Sequence, residues 1–235
     1  MNKAVAVTGG TKGIGRAIIT LFADKGFDII TCSRSEADLA GLKTELENKN
    51  PEIRFEGVEA DISTKEGANK FVDFAQTHLT NLLALVNNTG VFIPGQIHQE
   101  EDGVFEKTMN TNVSSAYYVT RGLIHNIMNN QGHIFNICST ASITPYINGG
   151  SYCVSKYALL GMTKVLREEM KEHDVKVTAI IPGATLTESW EGTDLPEERF
   201  MNPEDVAHAI WSAFSMSERS VVEEVIIRPQ LGDID

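Results

Sequence analysis

A tyrosine and a lysine four residues apart, Tyr152 and Lys156, have the residue types and the spacing to move a proton. Both fall near the start of a predicted helix, Ser151–His173, where positions i and i+4 share one face about one turn apart. A tyrosine has an ordinary pKa of about 10, so a neighbouring ammonium is needed to bring its phenol toward the neutral range. A tyrosine and a lysine at this spacing are common in proteins, so a catalytic role for the pair depends on the residues around it.

Two further polar residues extend the pair. Ser139 follows the predicted strand His133–Cys138, and a hydroxyl at the carboxyl end of a central strand faces the ligand crevice of an open α/β sheet. No histidine partner is evident for Ser139, so we expect it to bind a substrate oxygen and not to attack as a nucleophile. Asn112 lies in the predicted helix Gly103–Asn130, on an inward stripe, where a buried amide needs partners in either a structural or a catalytic role. That stripe consists of Phe105, Met109, Asn112, Ala116, Val119, Leu123 and Ile127.

A glycine-rich turn opens the chain. The apolar run Ala4–Thr8 leads into TGGTKGIG at 8–15 and then into a segment of helical period. Glycines in such a turn let the backbone approach a pyrophosphate, and the helix behind them offers unpaired N–H groups. Tight strand-to-helix turns also need glycine, but the position after the first strand of a repeating β/α chain favours dinucleotide binding.

The end of the second predicted strand, Asp28–Cys32, bears on the choice between NAD and NADP. A carboxylate there would accept hydrogen bonds from a free ribose hydroxyl, but the chain continues Ser33-Arg34 with no acid before Glu36. Arg34 and the loop residue Lys12 favour NADP(H), unless both are ordinary solvated surface charges. After the third strand, Asp61 is either an adenine contact or a loop cap.

Strand-length apolar runs alternate with helical segments along the whole chain. Runs such as LLALVNN and VKVTAII are apolar on both faces, as in parallel sheets covered by helices on each side. Ser35 and Ser63, each with an acid three residues later, predict helix starts. The sequence predicts a single α/β domain over residues 1–235, a doubly wound Rossmann fold with a seven-stranded parallel sheet and helices on both faces. The predicted strands are Ala4–Thr8, Asp28–Cys32, Arg54–Val58, Leu82–Asn87, His133–Cys138, Lys176–Ile181 and Val221–Arg228.

Composition excludes several classes of protein. The formal charge of −12 argues against nucleic-acid or anionic-membrane surfaces, and no apolar stretch approaches the roughly 20 residues that span a bilayer. The three cysteines have no metal-ligand spacing, so no metal site is expected. Their small, odd number favours reduced, buried thiols in a cytoplasmic protein.

Taken in order, these motifs resemble the short-chain dehydrogenase/reductase family, in its single-domain branch. The resemblance covers essentially the whole chain: TGGTKGIG at 8–15, NNTG at 87–90, Asn112, Ser139, YCVSK at 152–156 and PGATLT at 182–187. It departs from the family pattern at Thr89, where alanine is usual. The resemblance implies that Tyr152 is a general acid, that Lys156 lowers its pKa and holds a ribose, and that Ser139 orients a carbonyl oxygen. Asn112 would hold a water of the proton relay.

The resemblance also implies a cofactor, NADPH, and a small-molecule carbonyl substrate. Residues 188–201, which lack a strong period, would form a substrate lid, and the long helices would mediate a homodimer or homotetramer. MNTN at 109–112 and VVEEVIIRP at 221–229 are similar to bacterial sepiapterin-reductase-like members. A 3-oxoacyl-carrier-protein reductase and a non-catalytic NADPH-sensing protein remain alternatives. The cofactor-contacting residues expected from the resemblance are Gly9, Thr11, Lys12, Gly13, Ile14, Gly15, Ser33, Arg34, Asp61, Ile62, Asn88, Gly90, Tyr152, Lys156, Pro182, Gly183, Thr185 and Thr187.

Overall fold

Seven parallel strands form one sheet in a computed structural model that describes residues 3–78, 81–190 and 192–234. The strand order is β3-β2-β1-β4-β5-β6-β7, which is that of a doubly wound fold, the class of fold that the sequence predicts. The strands are β1 Ala4–Thr8, β2 Asp28–Ser33, β3 Phe55–Glu59, β4 Leu82–Asn87, β5 His133–Ile137, β6 Lys176–Pro182 and β7 Glu224–Ile227. The helices are α1 Gly13–Asp24, α2 Glu36–Lys49, α3 Lys65–His78, α4 Val104–Met109, α5 Ser115–Asn129, α6 Gly150–Met170 and α7 Pro203–Phe214.

Helices cover both faces of the sheet, which explains why the central strands are apolar on each side. Every residue of β1 and β5 is buried. One core cluster packs α1, α2 and α7 against one face, and a second packs α3 and α5 against the other. The order reverses between β1 and β4, and such a switch point opens a crevice at the carboxyl ends of the strands. The motifs singled out above follow those strand ends.

The predicted helix Gly103–Asn130 is interrupted. A π turn, Asn110–Ser114, separates α4 from α5, and a turn of this kind often marks a functional site. Phe105 was expected to face inward, but its side chain is 49% exposed, so that prediction was wrong. The π turn adds a residue to one turn of the helix. The spacing of three and four residues that placed Phe105 on the same face as the buried side chains of α5 therefore does not hold across this turn.

Helix starts agree with the sequence at α2 and differ at α3. The Ser35 hydroxyl accepts the N–H of Asp38 at 3.2 Å, which is the predicted cap. At α3, Thr64 and not Ser63 accepts the N–H of Gly67, at 3.0 Å. Ser63 instead donates to the Asp61 carboxylate at 2.7 Å, because a competing local acceptor lies two residues back.

Over the described ranges no helix is long and apolar enough to cross a membrane. Cys32, Cys138 and Cys153 are all buried and unbridged, as their residue type predicts. No cluster of potential metal ligands occurs among the described residues.

The buried histidine His133 makes the stability of the fold sensitive to acid. Burial is the main cause that lowers its pKa from 6.5 to about 3, with the charge of Lys176 adding to it. The unfolded chain therefore binds a proton below about pH 6.5 that the folded protein takes up only near pH 3. The stability that the neutral His133 contributes is fully present above pH 6.5. As the pH is lowered from 6.5 toward 3, the free energy of unfolding falls by up to about 1.4 kcal/mol per pH unit.

Urea unfolding at pH 7 and pH 5 checks this expectation. His133→Gln, which has no titrating group, is expected to show a shallower fall in the free energy of unfolding over that interval than the parent protein. Equal slopes in the two proteins would assign the acid sensitivity to other groups.

Candidate active site

The phosphate loop lies between β1 and α1 and is built for close backbone approach. A Cβ atom at Gly15 would overlap the carbonyl oxygen of Gly9, so only glycine fits there. Gly9 and Gly13 both have positive φ. Ile14 packs against the core beneath the loop, which fixes the start of α1. The backbone cradle and the helix N-terminus behind it fit the diphosphate of a dinucleotide.

An asparagine from the neighbouring strand braces this loop. The side-chain amide of Asn88 donates to the carbonyl oxygens of Thr8 and Gly9, each at 3.0 Å. Beside it, Asn87 donates to Thr120 and Asn136, each at 2.8 Å, and thereby joins β4 to α5 and β5. The floor of the crevice is thus held by buried hydrogen bonds across the switch point.

The residues expected at the adenosine end lie around the end of β2. Thr11 and Ser33 are joined through their hydroxyl oxygens at 3.1 Å. Arg34 is exposed beside them. The ammonium of Lys12 lies 2.9 Å from the Glu188 carboxylate and 4.0 Å from that of Asp38, so this loop cation is already paired with acids.

Asp61 and Ile62 follow β3 on the same edge of the sheet. The Asp61 carboxylate accepts the N–H of Ser63 at 3.0 Å and its hydroxyl at 2.7 Å, which is the loop-capping role considered for it. Ile62 is buried in the core. An adenine contact from these two residues stays a prediction.

Tyr152 and Ser139 meet at the carboxyl end of β5. Ser139 begins the short turn Thr140–Ser142 and accepts the N–H of Ala141 at 3.1 Å, which fixes its side chain. Burial raises the pKa of the Tyr152 phenol to about 12, and a hydrogen bond with the Ser139 side chain lowers it. The phenol is therefore protonated at neutral pH, in the form that can donate a proton.

Lys156 lies one turn along α6 from Tyr152, as the spacing predicts. Its ammonium donates to the Ile137 carbonyl oxygen at 2.9 Å and lies 5.7 Å from the centre of the Tyr152 ring. Burial lowers the pKa of Lys156 to about 8. Burial, the hydrogen bond with Ser139 and the charges of Cys153 and Cys138 account for the shifted pKa of Tyr152. Lys156 is not among these causes, so the lowering of the Tyr152 pKa by Lys156 stays a prediction.

Asn112 is buried within the π turn, and both ends of its amide are hydrogen-bonded. Its oxygen accepts the N–H of Val91 at 2.7 Å, and its nitrogen donates to Val91 O at 3.0 Å and to the Ser155 hydroxyl at 2.9 Å. Gly90 lies directly beside it: a Cβ atom there would be 3.5 Å from both Asn112 Oδ1 and Lys156 Nζ. The structure thus brings Asn112 and Lys156 to one small space.

The segment after β6 closes the other side of the crevice. Pro182 ends β6, and the N–H of Gly183 donates to Ile227 O at 2.8 Å. Thr185 is buried and bonded to Gly183 O, whereas the Thr187 side chain faces the phosphate loop, 3.1 Å from a Cβ placed on Gly13. Of these, Thr187 has the position to touch a bound dinucleotide through its side chain.

Two contributors, Phe92 and Asn136, were not found from the sequence. The Phe92 ring packs edge-on against Tyr152 at 4.9 Å. Asn136 links Asn87 to Thr163 on α6 at 2.8 Å. These contacts join residues far apart in the chain, so local spacing carries no signal for them. An asparagine within the fully buried strand β5 was the one available clue, because a buried amide needs partners.

A phosphate cradle lies at the switch point of a parallel sheet, and a tyrosine and a lysine on one helix lie beside a serine at a neighbouring strand end. This arrangement is typical of a nucleotide-dependent α/β oxidoreductase. Residues 3–197 match the family model described as short chain dehydrogenase. The chain belongs to the short-chain dehydrogenase family. Its similarity to sepiapterin reductase of Chlorobaculum tepidum is 33% identity, over 100% of this chain and 99% of that protein.

Solved structures agree with the fold. An alcohol dehydrogenase from Thermococcus sibiricus, complexed with 5-hydroxy-NADP, matches with a TM-score of 0.92 at 21% identity, covering 100% of both chains. L-sorbose reductase from Gluconobacter frateurii, complexed with NADPH and L-sorbose, matches with a TM-score of 0.89 at 26% identity, over 97% of this chain and 96% of that one. The seven-stranded Rossmann architecture predicted from the sequence is confirmed.

Proposed function

We propose that this enzyme reduces a ketone or aldehyde with NADPH and that Tyr152 is the general acid. The observation that carries the proposal is the pairing of a half-buried, protonated Tyr152 with Ser139 at the mouth of the crevice. An acid at this place has one evident use, the protonation of an oxygen held between the two hydroxyl groups. NADPH supplies the hydride when it is bound.

The roles of the other residues follow from their positions. Ser139, fixed by Ala141, donates a hydrogen bond to the substrate oxygen and orients it. Lys156 binds the nicotinamide ribose and supplies a positive charge near the phenol when the phenolate forms. The small space beside Gly90, bounded by Asn112 Oδ1 and Lys156 Nζ, is where we place the water that returns a proton to Tyr152.

The choice of NADPH is supported at the adenosine end. Arg34 is exposed just after β2, and no acid lies between the carboxyl end of that strand and Glu36. A guanidinium can bind a phosphate with two hydrogen bonds, whereas the exposed Lys12 is shared with carboxylates. Relatives solved with NADP or NADPH point the same way.

We further propose that residues 188–201 form a lid over a substrate of low negative charge. The centres of the Trp190 and Phe200 rings lie 4.9 Å apart, and this contact joins the two ends of the segment. Glu191 lies outside the described residues. The segment carries several acids and a single arginine. This charge is unfavourable for an acidic carrier protein, so free carbonyl compounds are favoured over 3-oxoacyl carrier substrates.

A carbonyl substrate panel tests the proposal. A pterin, diketones and acetoacetyl thioesters are each incubated with the enzyme, and NADPH consumption is followed by absorbance. We expect turnover of the uncharged carbonyl compounds at rates well above those of the thioesters. Faster turnover of an acetoacetyl carrier-protein thioester would favour the alternative, and no turnover of any carbonyl would favour a non-catalytic NADPH-binding protein.

Finally, we propose that the protein works in the cytoplasm as a homodimer or homotetramer. The outer faces of α5 and α6 carry exposed apolar side chains, which marks a contact surface. Light scattering is expected to give a mass of at least twice the 25.8 kDa of one chain, and a monomer mass would contradict this expectation. The exposed apolar residues of these two helices are Tyr117, Val154, Tyr157 and Val165.

A further inference from the structure

The helix that carries Tyr152 and Lys156 begins without a cap of its own. α6 starts at Gly150, and the residue before it is Gly149, which has no side chain to accept a hydrogen bond. Tyr152 is the third residue of the helix, inside the turn whose N–H groups have no acceptor within the helix. The position of the phenol therefore depends on what holds this turn from outside.

Glu100 supplies that contact from 51 residues earlier in the chain. One of its carboxylate oxygens accepts the N–H of Ser151 at 2.7 Å, and the other accepts the Ser151 hydroxyl. Ser151 is buried. A carboxylate at the start of a helix also interacts favourably with the helix dipole.

The neighbouring backbone leaves room for this carboxylate. Gly150 has a φ of +27°, and a Cβ atom there would overlap a carboxylate oxygen of Glu100. A Cβ atom at Gly95 would lie 2.9 Å from the Glu100 side chain. The N–H of Gly95 donates to Asn148 O at 3.0 Å, so the backbone on one side of the Glu100 carboxylate is tied to the backbone just before α6 on the other side.

The segment that carries Glu100 also contacts the phenol directly. At its start, Val91 is bound through both its N–H and its carbonyl by Asn112, and the next residue, Phe92, packs on the Tyr152 ring at 4.9 Å. Residues 91–100 are thus tied to the π turn at one end and to Ser151 at the other. Tyr152 is held between these two anchors.

We infer that Glu100 is a positioning residue: by capping α6 through Ser151, it holds the Tyr152 hydroxyl in register with Ser139. The inference rests on the proposed function of Tyr152. It concerns the rate of the proton-transfer step and leaves cofactor binding unchanged, because Glu100 does not contact the phosphate loop and Lys156 is held separately by the Ile137 carbonyl oxygen at 2.9 Å.

Three variants test the inference: Glu100→Ala removes both acceptors, Glu100→Gln keeps an acceptor for the Ser151 N–H, and Glu101→Ala removes the adjacent exposed acid as a control. For Glu100→Ala we expect kcat to fall by about tenfold or more, since small misplacements of reacting groups are costly. The KM for NADPH is expected to stay within about twofold, and Glu100→Gln to recover most of kcat. Glu101→Ala is expected to match the parent enzyme.

Hydrogen exchange on the cofactor-free protein gives a readout that needs no turnover. Peptides covering residues 149–156 should exchange faster in Glu100→Ala and at the parent rate in the other two variants. Unchanged exchange, or faster exchange with an unchanged kcat, would overturn the inference, as would a loss confined to NADPH affinity. If the parent enzyme reduced no carbonyl, the proposed function would fail by itself, and the exchange rates would still decide whether Glu100 holds the helix start.

Discussion

Replacing Tyr152 by phenylalanine is expected to lower kcat/KM for carbonyl reduction by about 10³-fold, within the range that general acids contribute. The substitution removes one hydroxyl group and keeps the ring, so the edge-on contact with Phe92 and the fold of α6 are preserved. Because the phenol is protonated at neutral pH, the loss is that of the proton donor itself. Steady-state kinetics with the best substrate of the panel, together with NADPH binding by fluorescence, measure the two effects separately.

The matched control is Tyr157→Phe. Tyr157 lies on the same helix but faces outward, with 43% of its side chain exposed, so its hydroxyl should be dispensable. We expect Tyr157→Phe to keep the parental kcat/KM and Tyr152→Phe to keep the parental NADPH affinity. Full activity in Tyr152→Phe would remove Tyr152 from the reaction and leave Ser139 or a bound water as the donor.

The periodicity of the chain was enough to predict the architecture. Strands such as β4 and β6 are apolar on both faces, and this pattern distinguishes a parallel sheet covered by helices from a sheet with one face exposed to water. The ends of β1 and β5 then located the phosphate loop and Ser139, since ligands bind at the carboxyl edge of such sheets. Boundaries were less accurate: β7 is four residues long, half of the predicted run.

What the sequence could not supply are the contacts between distant segments. The Glu100–Ser151 pair and the Asn87–Asn136 bond each join residues about fifty positions apart, and neither leaves a local pattern. The π turn around Asn112 was also missed, because the residues on either side of it fit a continuous helical spacing of three and four in the sequence. These contacts decide how well the four candidate catalytic groups are oriented, although residue types and strand ends were enough to find those groups.

Removing the Arg34 guanidinium is expected to abolish most of the preference for NADPH. Arg34 makes no ion pair among the described residues and lies at the strand end where the adenosine ribose would be held, so it is available to a 2′-phosphate. Hydrogen bonds to charged groups contribute about 1.5–3 kcal/mol, and the net loss of one such contribution corresponds to a roughly 10- to 160-fold lower NADPH affinity for Arg34→Ala. NADH lacks the phosphate, so its affinity should not change.

Binding titrations with both cofactors distinguish this role from a general effect of charge. Arg34→Lys keeps the charge but loses the two-pronged geometry, and an intermediate affinity for NADPH is expected. Lys12→Ala should have the smaller effect, because the Lys12 ammonium is shared with Glu188 and Asp38. Arg54→Ala controls for the loss of one positive charge, because Arg54 is exposed and precedes β3, at the amino ends of the strands and away from the crevice. Comparable affinities of the parent enzyme for NADPH and NADH, or an equal loss for both in Arg34→Ala, would rule out phosphate recognition by Arg34.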